Sequence, residues 1–125
     1  MALIDDQLRT LQDTYSSAIC LPLPDGSSLV TVPEVKLPSG WSSPQATVKF
    51  LLPVGFPHAQ PDCFWIEPHI RLASGAMPQR SNVQVIPGTT DNWVWFSWHA
   101  TKWRANDDTI STYMKIIEAR LREAR

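Results

Sequence analysis

The sequence predicts an α+β fold, because two amphipathic helical segments enclose a group of short strands. Near the N-terminus, apolar residues recur at the spacing of one helix face, at Ile4, Leu8, Leu11 and Tyr15. Near the C-terminus, a second stripe of the same kind runs through Ile110, Tyr113, Ile117 and Leu121. The residues between them are rich in proline and β-branched side chains, which favour short strands joined by turns.

Three segments between the helices predict an antiparallel meander. Residues 28–37 are rich in β-branched side chains, and Pro33 places them at a sheet edge or at a bend. Residues 45–53 alternate between apolar and polar side chains, and residues 61–68 form a short strand bracketed by prolines. Strands joined this closely pair most readily in the antiparallel sense.

The rest of the chain is less regular. The first helix should end before Pro22, since the residue before a proline disfavours helix. Residues 69–82 predict a loop, and residues 83–98 leave room for a short strand and a hairpin. Asp107 or Asp108 is suited to cap the last helix. The whole of 1–125 is expected to be one domain.

Composition excludes several functions. The formal net charge of −1 gives no reason to expect nucleic acid or an acidic membrane as a partner. No cysteine or histidine stands near Cys20 or Cys63 at ligand spacing, so neither a metal nor another cofactor is expected. The two cysteines resemble reduced thiols more than a disulfide framework. No signal peptide or long apolar run is present, so we expect a cytoplasmic protein.

A proline-bracketed loop carries a family resemblance. Phe56, Pro57 and Pro61 form an aromatic-Pro-x-x-x-Pro loop, which leads directly into a strand ending in Trp65. Further on, Trp103 precedes a helix that opens at Thr109-Ile110. In this order of features the chain resembles the ubiquitin-conjugating superfamily. The resemblance implies a ubiquitin-conjugating-like fold with an N-terminal helix, a meander sheet, an irregular active-site-like loop and a C-terminal helix.

Other segments look like a bacterial branch, the prokaryotic family E. They are residues 70–79 (IRLASGAMPQ), the tryptophan-rich segment, and residues 103–114 (WRANDDTISTYM). This resemblance implies a transferase that works with a ubiquitin-like protein and a ThiF-like activating enzyme, and it suggests antiphage defence as the biological role. It also implies that the outer face of the first helix, with Gln7, Arg9 and Asp13, meets the activating enzyme.

The chain departs from the family pattern at its reaction centre. The catalytic cysteine should fall near Met77 or Pro78, yet no cysteine follows Phe64. His69 stands where the superfamily carries an asparagine that stabilises the oxyanion. Cys63 lies inside a short strand, where alternation puts Cys63 and Trp65 on one face, so we interpret it as a structural thiol.

Serine is the remaining nucleophile. Ser74 and Ser81 flank the expected position, and a serine carries an oxyester only if a base takes its proton. His99, or less readily His69, is the candidate base. Each residue also has a structural interpretation: Ser74 shapes a turn, Ser81 is a loop residue or a helix cap, and His99 is a hydrogen-bonded side chain among tryptophans.

Three functions follow from these alternatives. The first is a conjugating-like protein that carries the tail on a non-cysteine nucleophile. The second is a catalytically inactive variant, or an RWD-like protein-binding module with the same fold. The third is thioester chemistry at Cys63, which requires an accessible thiol. A wall of four tryptophans is open to two interpretations, core or docking surface: Trp93, Trp95, Trp98 and Trp103.

Overall fold

A computed structural model describes residues 2–125, apart from the side chain of Ala2. Two helices lie at the ends of the chain, and the strands lie between them. In chain order the elements are α1 (Ala2–Gln12), β1 (Ile19–Pro22), β2 (Ser28–Lys36), β3 (Gln45–Leu52), β4 (Cys63–Ile66), β5 (Ser81–Val85), β6 (Asn92–Ser97) and α2 (Ile110–Leu121). None of the helices described is long and apolar enough to cross a membrane.

The strands form one antiparallel sheet in the order β1-β2-β3-β4-β6-β5. The α+β prediction is confirmed, and the three predicted strands are β2, β3 and β4. The sheet is larger than the predicted meander. A short edge strand, β1, precedes it, and the β5–β6 hairpin extends it beyond β4. The expected hairpin after residue 82 is therefore present, and it pairs with β4 through β6.

The main core lies between the helices and one face of the sheet. Phe64 of β4 stacks on Phe96 of β6 with ring centroids 4.5 Å apart, and both rings are fully buried. Phe50 of β3 meets Tyr113 of α2 edge to face at 5.2 Å. Aromatic contacts of this geometry add to the free energy of burial, so they hold α2 and the central strands together.

The opposite face of the sheet carries a second, smaller apolar cluster. Its buried members are Leu29, Trp65 and Ile86, and Cys63 packs beside them. The predicted alternation along β4 is thus confirmed, since Phe64 belongs to the main core and its two neighbours to the smaller cluster. The tryptophan wall is divided between the faces. All four side chains are partly buried: Trp98 and Trp103 against the main core, Trp93 and Trp95 against the smaller cluster.

Pro33 lies at a bend of β2. The register between β2 and β3 shifts between Val32 and Val35, and Glu34 takes a positive φ of 61°. An extra residue in one strand leaves a backbone position unpaired, which a proline without an N–H tolerates. Because β1 pairs only with residues 28–31 of β2, the outer side of β2 is uncovered at Pro33, so the bend and a local edge occur at the same place.

The cap of α2 differs from the prediction. Thr109 is the N-cap residue, and its hydroxyl accepts a hydrogen bond from the N–H of Thr112 at 3.4 Å. Asp108 instead accepts a hydrogen bond from the N–H of Arg104 at 2.6 Å and closes the preceding turn. A capping box therefore begins the helix, because the hydroxyl of Thr112 also accepts from the N–H of Thr109 at 2.9 Å.

Candidate functional site

The aromatic-Pro-x-x-x-Pro loop is joined to the C-terminal half of the chain. Phe56 is buried, and the Phe56–Pro57 peptide bond is cis. The indole N–H of Trp103 donates to the carbonyl oxygen of Pro57 at 2.7 Å, and its ring lies 6.1 Å from that of Phe56. Pro61, which is also buried, leads into β4. The loop therefore has a fixed position at the entrance to the central strands.

The segment that joins β4 to β5 contains the positions at which the family resemblance places the reaction centre, and we call residues 67–80 the β4–β5 loop. It is bound to the turn before β3. The N–H of Ser42 donates to the carbonyl of Arg71, and the N–H of Ala73 donates to that of Gly40, each at 2.8 Å. An isolated bridge joins Trp41 to Leu72 beside these bonds. The first part of the loop is thus held by main-chain hydrogen bonds on one side.

Ser74 lies at the exposed tip of the β4–β5 loop. The N–H of Gly75 closes the turn onto the carbonyl of Leu72 at 2.8 Å. The hydroxyl oxygen of Ser74 accepts a long hydrogen bond from the N–H of Ala76, at 3.4 Å. Nothing lies within 4 Å of a Cβ placed on Gly75, so the space beside the tip is open. Ser74 is accessible to a docking protein, and its bond to Ala76 also matches the turn-shaping role.

Ser81 lies at the other end of this segment, as the first residue of β5. It is half-buried, and its hydroxyl donates to the carbonyl oxygen of Pro78 at 2.5 Å. Pro78 is buried, whereas Met77 beside it is 38% exposed. The positions where the superfamily pattern puts a cysteine are therefore an exposed methionine and a buried proline. The proton of Ser81 is bound to a carbonyl oxygen rather than to a base.

A buried arginine holds the end of the β4–β5 loop. Arg120 of α2 is 1% exposed, and one of its terminal nitrogens donates to the carbonyl oxygen of Gln79 at 2.9 Å. Its guanidinium lies over the rings of Phe96 and Trp98, 5.2 and 5.4 Å from their centroids. Burial lowers the pKa of Arg120 from its usual value. Its sequence signal is its place three residues after Ile117, on the apolar stripe of α2.

Neither candidate base contacts a candidate serine. His99 is exposed and lies two residues beyond the end of β6, where Ser97 donates to the carbonyl of Arg80 at 3.2 Å. This register places His99 on the same side of the molecule as the end of the β4–β5 loop. His69 is exposed at the start of that loop. Within residues 2–125, no hydrogen bond joins His99 or His69 to Ser74 or Ser81.

Cys63 has the properties of a packing residue. It is partly buried in β4, and burial raises its pKa to about 11, an effect that a hydrogen bond with Trp95 partly opposes. A thiol with that pKa is protonated at neutral pH, whereas the thiolate is the nucleophile. Cys20 in β1 is also partly buried, and burial raises its pKa too. In the described part of the chain, no group of histidine, cysteine and carboxylate side chains is arranged to hold a metal.

The predicted docking residues of α1 differ in accessibility. Arg9 and Asp13 are exposed, and Arg9 forms an ion pair with Asp6 on the helix surface. Gln7 is half-buried, and its side-chain oxygen accepts a hydrogen bond from the N–H of Ile110 at 2.8 Å. Gln7 therefore satisfies a free N–H at the start of α2, so its side chain is directed inward to the contact between the two helices.

A cavity of about 470 Å³ lies elsewhere, between the end of α1, the β2 bulge and the end of α2. The phenol of Tyr15 donates to the carboxylate of Glu118 in its wall. Burial and the neighbouring carboxylate raise the pKa of Tyr15. None of the candidate serines and histidines lines this cavity, so the cavity does not identify the reaction centre.

The helix–sheet–helix order, the cis-proline loop and the long β4–β5 loop together define a ubiquitin-conjugating-like, or E2-like, domain. Comparison with family models gives the particular family: the model of prokaryotic E2 family E matches residues 15–124. Because the match covers most of the chain, this protein belongs to prokaryotic E2 family E. Neither the curated proteins nor the solved structures gave a match.

Proposed function

We propose that this chain is the conjugating component of a bacterial ubiquitin-like pathway, and that it carries the ubiquitin-like tail as an oxyester. Membership of prokaryotic E2 family E, over residues 15–124, is the observation that supports the pathway. The partners are a ThiF-like activating enzyme and a ubiquitin-like protein. The proposed location of the protein is the cytoplasm, and no cofactor takes part in the step.

The oxyester part of the proposal rests on the environment of the thiols. Acyl transfer needs a nucleophile that a large partner can reach. Cys63 is partly buried and has a raised pKa, so little thiolate exists at neutral pH. Ser74 is exposed on an open turn, three residues before the expected position at Met77. Accessibility therefore favours Ser74 over Ser81 as the acceptor.

The chemical step is a transesterification. The hydroxyl oxygen of Ser74 attacks the carbonyl carbon of the tail, which arrives as a thioester on the activating enzyme. A carbon–oxygen bond forms, the carbon–sulfur bond breaks, and the thiolate leaves on the activating enzyme's cysteine. The serine proton passes to a base, for which His99 is the candidate in this chain. His99 is exposed near the end of the β4–β5 loop, and the partner's docking must bring base and serine together.

Reconstitution tests this proposal. The protein is mixed with the ThiF-like enzyme, the ubiquitin-like protein and ATP, and a covalent adduct is sought by denaturing electrophoresis. An oxyester survives reducing agent and is cleaved by hydroxylamine. Ser74→Ala should abolish the adduct, whereas Ser81→Ala should leave it in place. An adduct that reducing agent removes would instead identify a thioester, and with it the Cys63 alternative.

A second function is favoured by one observation. Neither serine is hydrogen-bonded to a histidine, and Ser81 donates its proton to the carbonyl of Pro78. That arrangement fits an inactive variant or an RWD-like module that binds its partners without chemistry. Co-purification with the ubiquitin-like protein, together with no covalent product under the conditions above, would establish the binding module.

A further inference from the structure

The β5 strand lies at an open edge of the sheet, and its pairing with β6 fixes which main-chain groups are used. The N–H of Ser97 donates to the carbonyl of Arg80 at 3.2 Å, and the N–H of Ile86 donates to that of Asp91 at 2.8 Å. Both pairs continue the β5–β6 register. Hydrogen-bonded pairs alternate along an antiparallel ladder, so the even-numbered residues of β5 bond to β6.

The odd-numbered residues of β5 therefore direct their main-chain groups away from the sheet. They are Ser81, Val83 and Val85. An independent contact supports this for Val83, because its N–H donates to the side-chain oxygen of Asn82 at 2.8 Å and not to β6. The edge thus presents free carbonyl groups and N–H groups, one of which is occupied only by an exposed side chain.

The side chains of this edge are apolar and accessible. Val83 is 43% exposed and Val85 is 50% exposed. Edge strands of this kind are templates for an added strand, and natural proteins commonly block them with charge or proline. The opposite edge, β1, is shorter and is blocked in this way at one position, although its Ile19 and Leu21 side chains are also exposed. The N–H of Leu23 bonds to the carbonyl of Ser27 at 2.8 Å, so Cys20 and Pro22 face outward, and Pro22 has no N–H.

The size of the β5 edge indicates the kind of occupant. A stable protein dimer buries about 800 Å² on each partner. A five-residue strand with two exposed valines offers only a fraction of that area. It matches a single extended peptide, since five residues of strand span about 17 Å.

The direction of β5 indicates which peptide. The strand begins at Ser81, where the β4–β5 loop ends. A peptide that pairs with β5 in the antiparallel sense runs from Val85 towards Ser81, so its carboxyl end arrives at that loop. Arg80 lies exposed at the same end and forms no ion pair within the described part of the chain. The proposed function requires such a peptide, because the carboxyl end of the ubiquitin-like tail must reach the β4–β5 loop.

We propose that β5 binds the extended C-terminal tail of the ubiquitin-like protein by antiparallel strand addition, and thereby delivers the carboxyl end to the β4–β5 loop. This inference rests on the proposed function for the identity of the peptide. The tail pairs its main chain with Ser81, Val83 and Val85 and packs alternate apolar side chains against the two valines. The hydrogen bond from Val83 to Asn82 must open when the tail binds.

The test is binding of a synthetic heptapeptide, acetyl-Lys-Val-Thr-Val-Arg-Gly-Gly with a free carboxyl end, followed by amide NMR of the full chain. We expect shifts centred on residues 80–86. Val83→Pro removes an outward N–H and should weaken binding about tenfold. Asn82→Ala removes the competing side chain and should tighten binding two- to threefold, by roughly half a kcal/mol. Gln84→Ala is the matched control, since the main chain of Gln84 already bonds to β6, and its affinity should equal that of the native chain.

Three results would overturn the inference: shifts centred outside β5, equal affinity for Val83→Pro, or no binding at millimolar peptide. A peptide methylated on the nitrogen of its second valine tests the same bonds against the unaltered protein, in case Val83→Pro does not fold. It should bind about tenfold more weakly. The assay contains no activating enzyme. The result of the peptide-binding assay therefore does not depend on whether the oxyester step occurs. If the adduct forms but the peptide does not bind, strand addition is overturned and the proposed function is not.

Discussion

Replacing Arg120 with alanine should lower the free energy of unfolding by about 3 kcal/mol. The guanidinium donates to main-chain oxygens of Gln79, Glu123 and Arg125 at 2.7–2.9 Å. Each bond from a charged donor contributes roughly 1.5–3 kcal/mol, and stacking over a desolvated ring contributes up to about 2 kcal/mol. The alanine variant also no longer has to bury a cation, which costs several kcal/mol in lost hydration. That gain offsets about half of the summed loss from the hydrogen bonds and the stacking.

Urea unfolding followed by tryptophan fluorescence measures this loss, because Trp98 lies directly under the guanidinium. Arg122→Ala is the matched control: Arg122 is exposed on the same helix end, and its loss should stay within about 0.5 kcal/mol. Arg120→Met should retain part of the stability, since it fills the space and removes the buried charge. A loss below about 1 kcal/mol for Arg120→Ala would refute the role of this residue in holding the β4–β5 loop.

Two further predictions concern the helix cap and the thiol. Thr109→Ala should lower the free energy of unfolding by about 1 kcal/mol, whereas Asp107→Ala should change it little; equal effects of the two in urea unfolding would contradict the assignment of the cap. In a Cys20→Ser background, maleimide should label Cys63 of the folded protein slowly at neutral pH and faster as the pH rises towards about 11. Fast labelling at neutral pH would contradict this and indicate an accessible thiolate. Because the folded-state pKa of Cys63 lies above the unfolded value of roughly 8.5, the stability gained from the protonated thiol is complete below about pH 8.5 and is lost as the pH rises to about 11.

Elements with a long periodic pattern could be predicted from the sequence. The stripe through Ile110 and Ile117 and the alternation of residues 45–53 each reflect burial of one face, so they identified α2 and β3. The β1 strand could not be found this way. Four residues ending in Pro22 are too few to show a period, and only pairing with β2 makes them a strand.

The cap of α2 shows a different limit. Asp107, Asp108 and Thr109 are all good N-cap residues, so local preference does not choose among them. Two contacts make the choice: Asp108 closes a local turn onto Arg104, and Gln7 from α1 satisfies the N–H of Ile110. The second contact joins residues that are far apart in the chain, so a local sequence pattern cannot reveal it.

The site was predictable in part. The strand alternation correctly put Cys63 and Trp65 on one face and Phe64 on the other, because one-residue steps along a strand change the face. It did not say which face packs on the main core. The contacts of Arg120 could not be predicted, since they depend on carbonyl oxygens of Gln79 and of two residues beyond α2. The link between Trp103 and Pro57 is likewise a product of the fold, as it joins two loops.

The most direct test of the oxyester proposal is reconstitution with a cysteine-free protein, Cys20→Ser combined with Cys63→Ser. Both residues are packing positions, so serine should leave the fold intact, which a circular dichroism spectrum checks. With the activating enzyme, the ubiquitin-like protein and ATP, the cysteine-free protein should form as much hydroxylamine-sensitive adduct as the native chain. Mass spectrometry should map that adduct to Ser74. An adduct that disappears when the two sulfur atoms are removed would contradict the proposal.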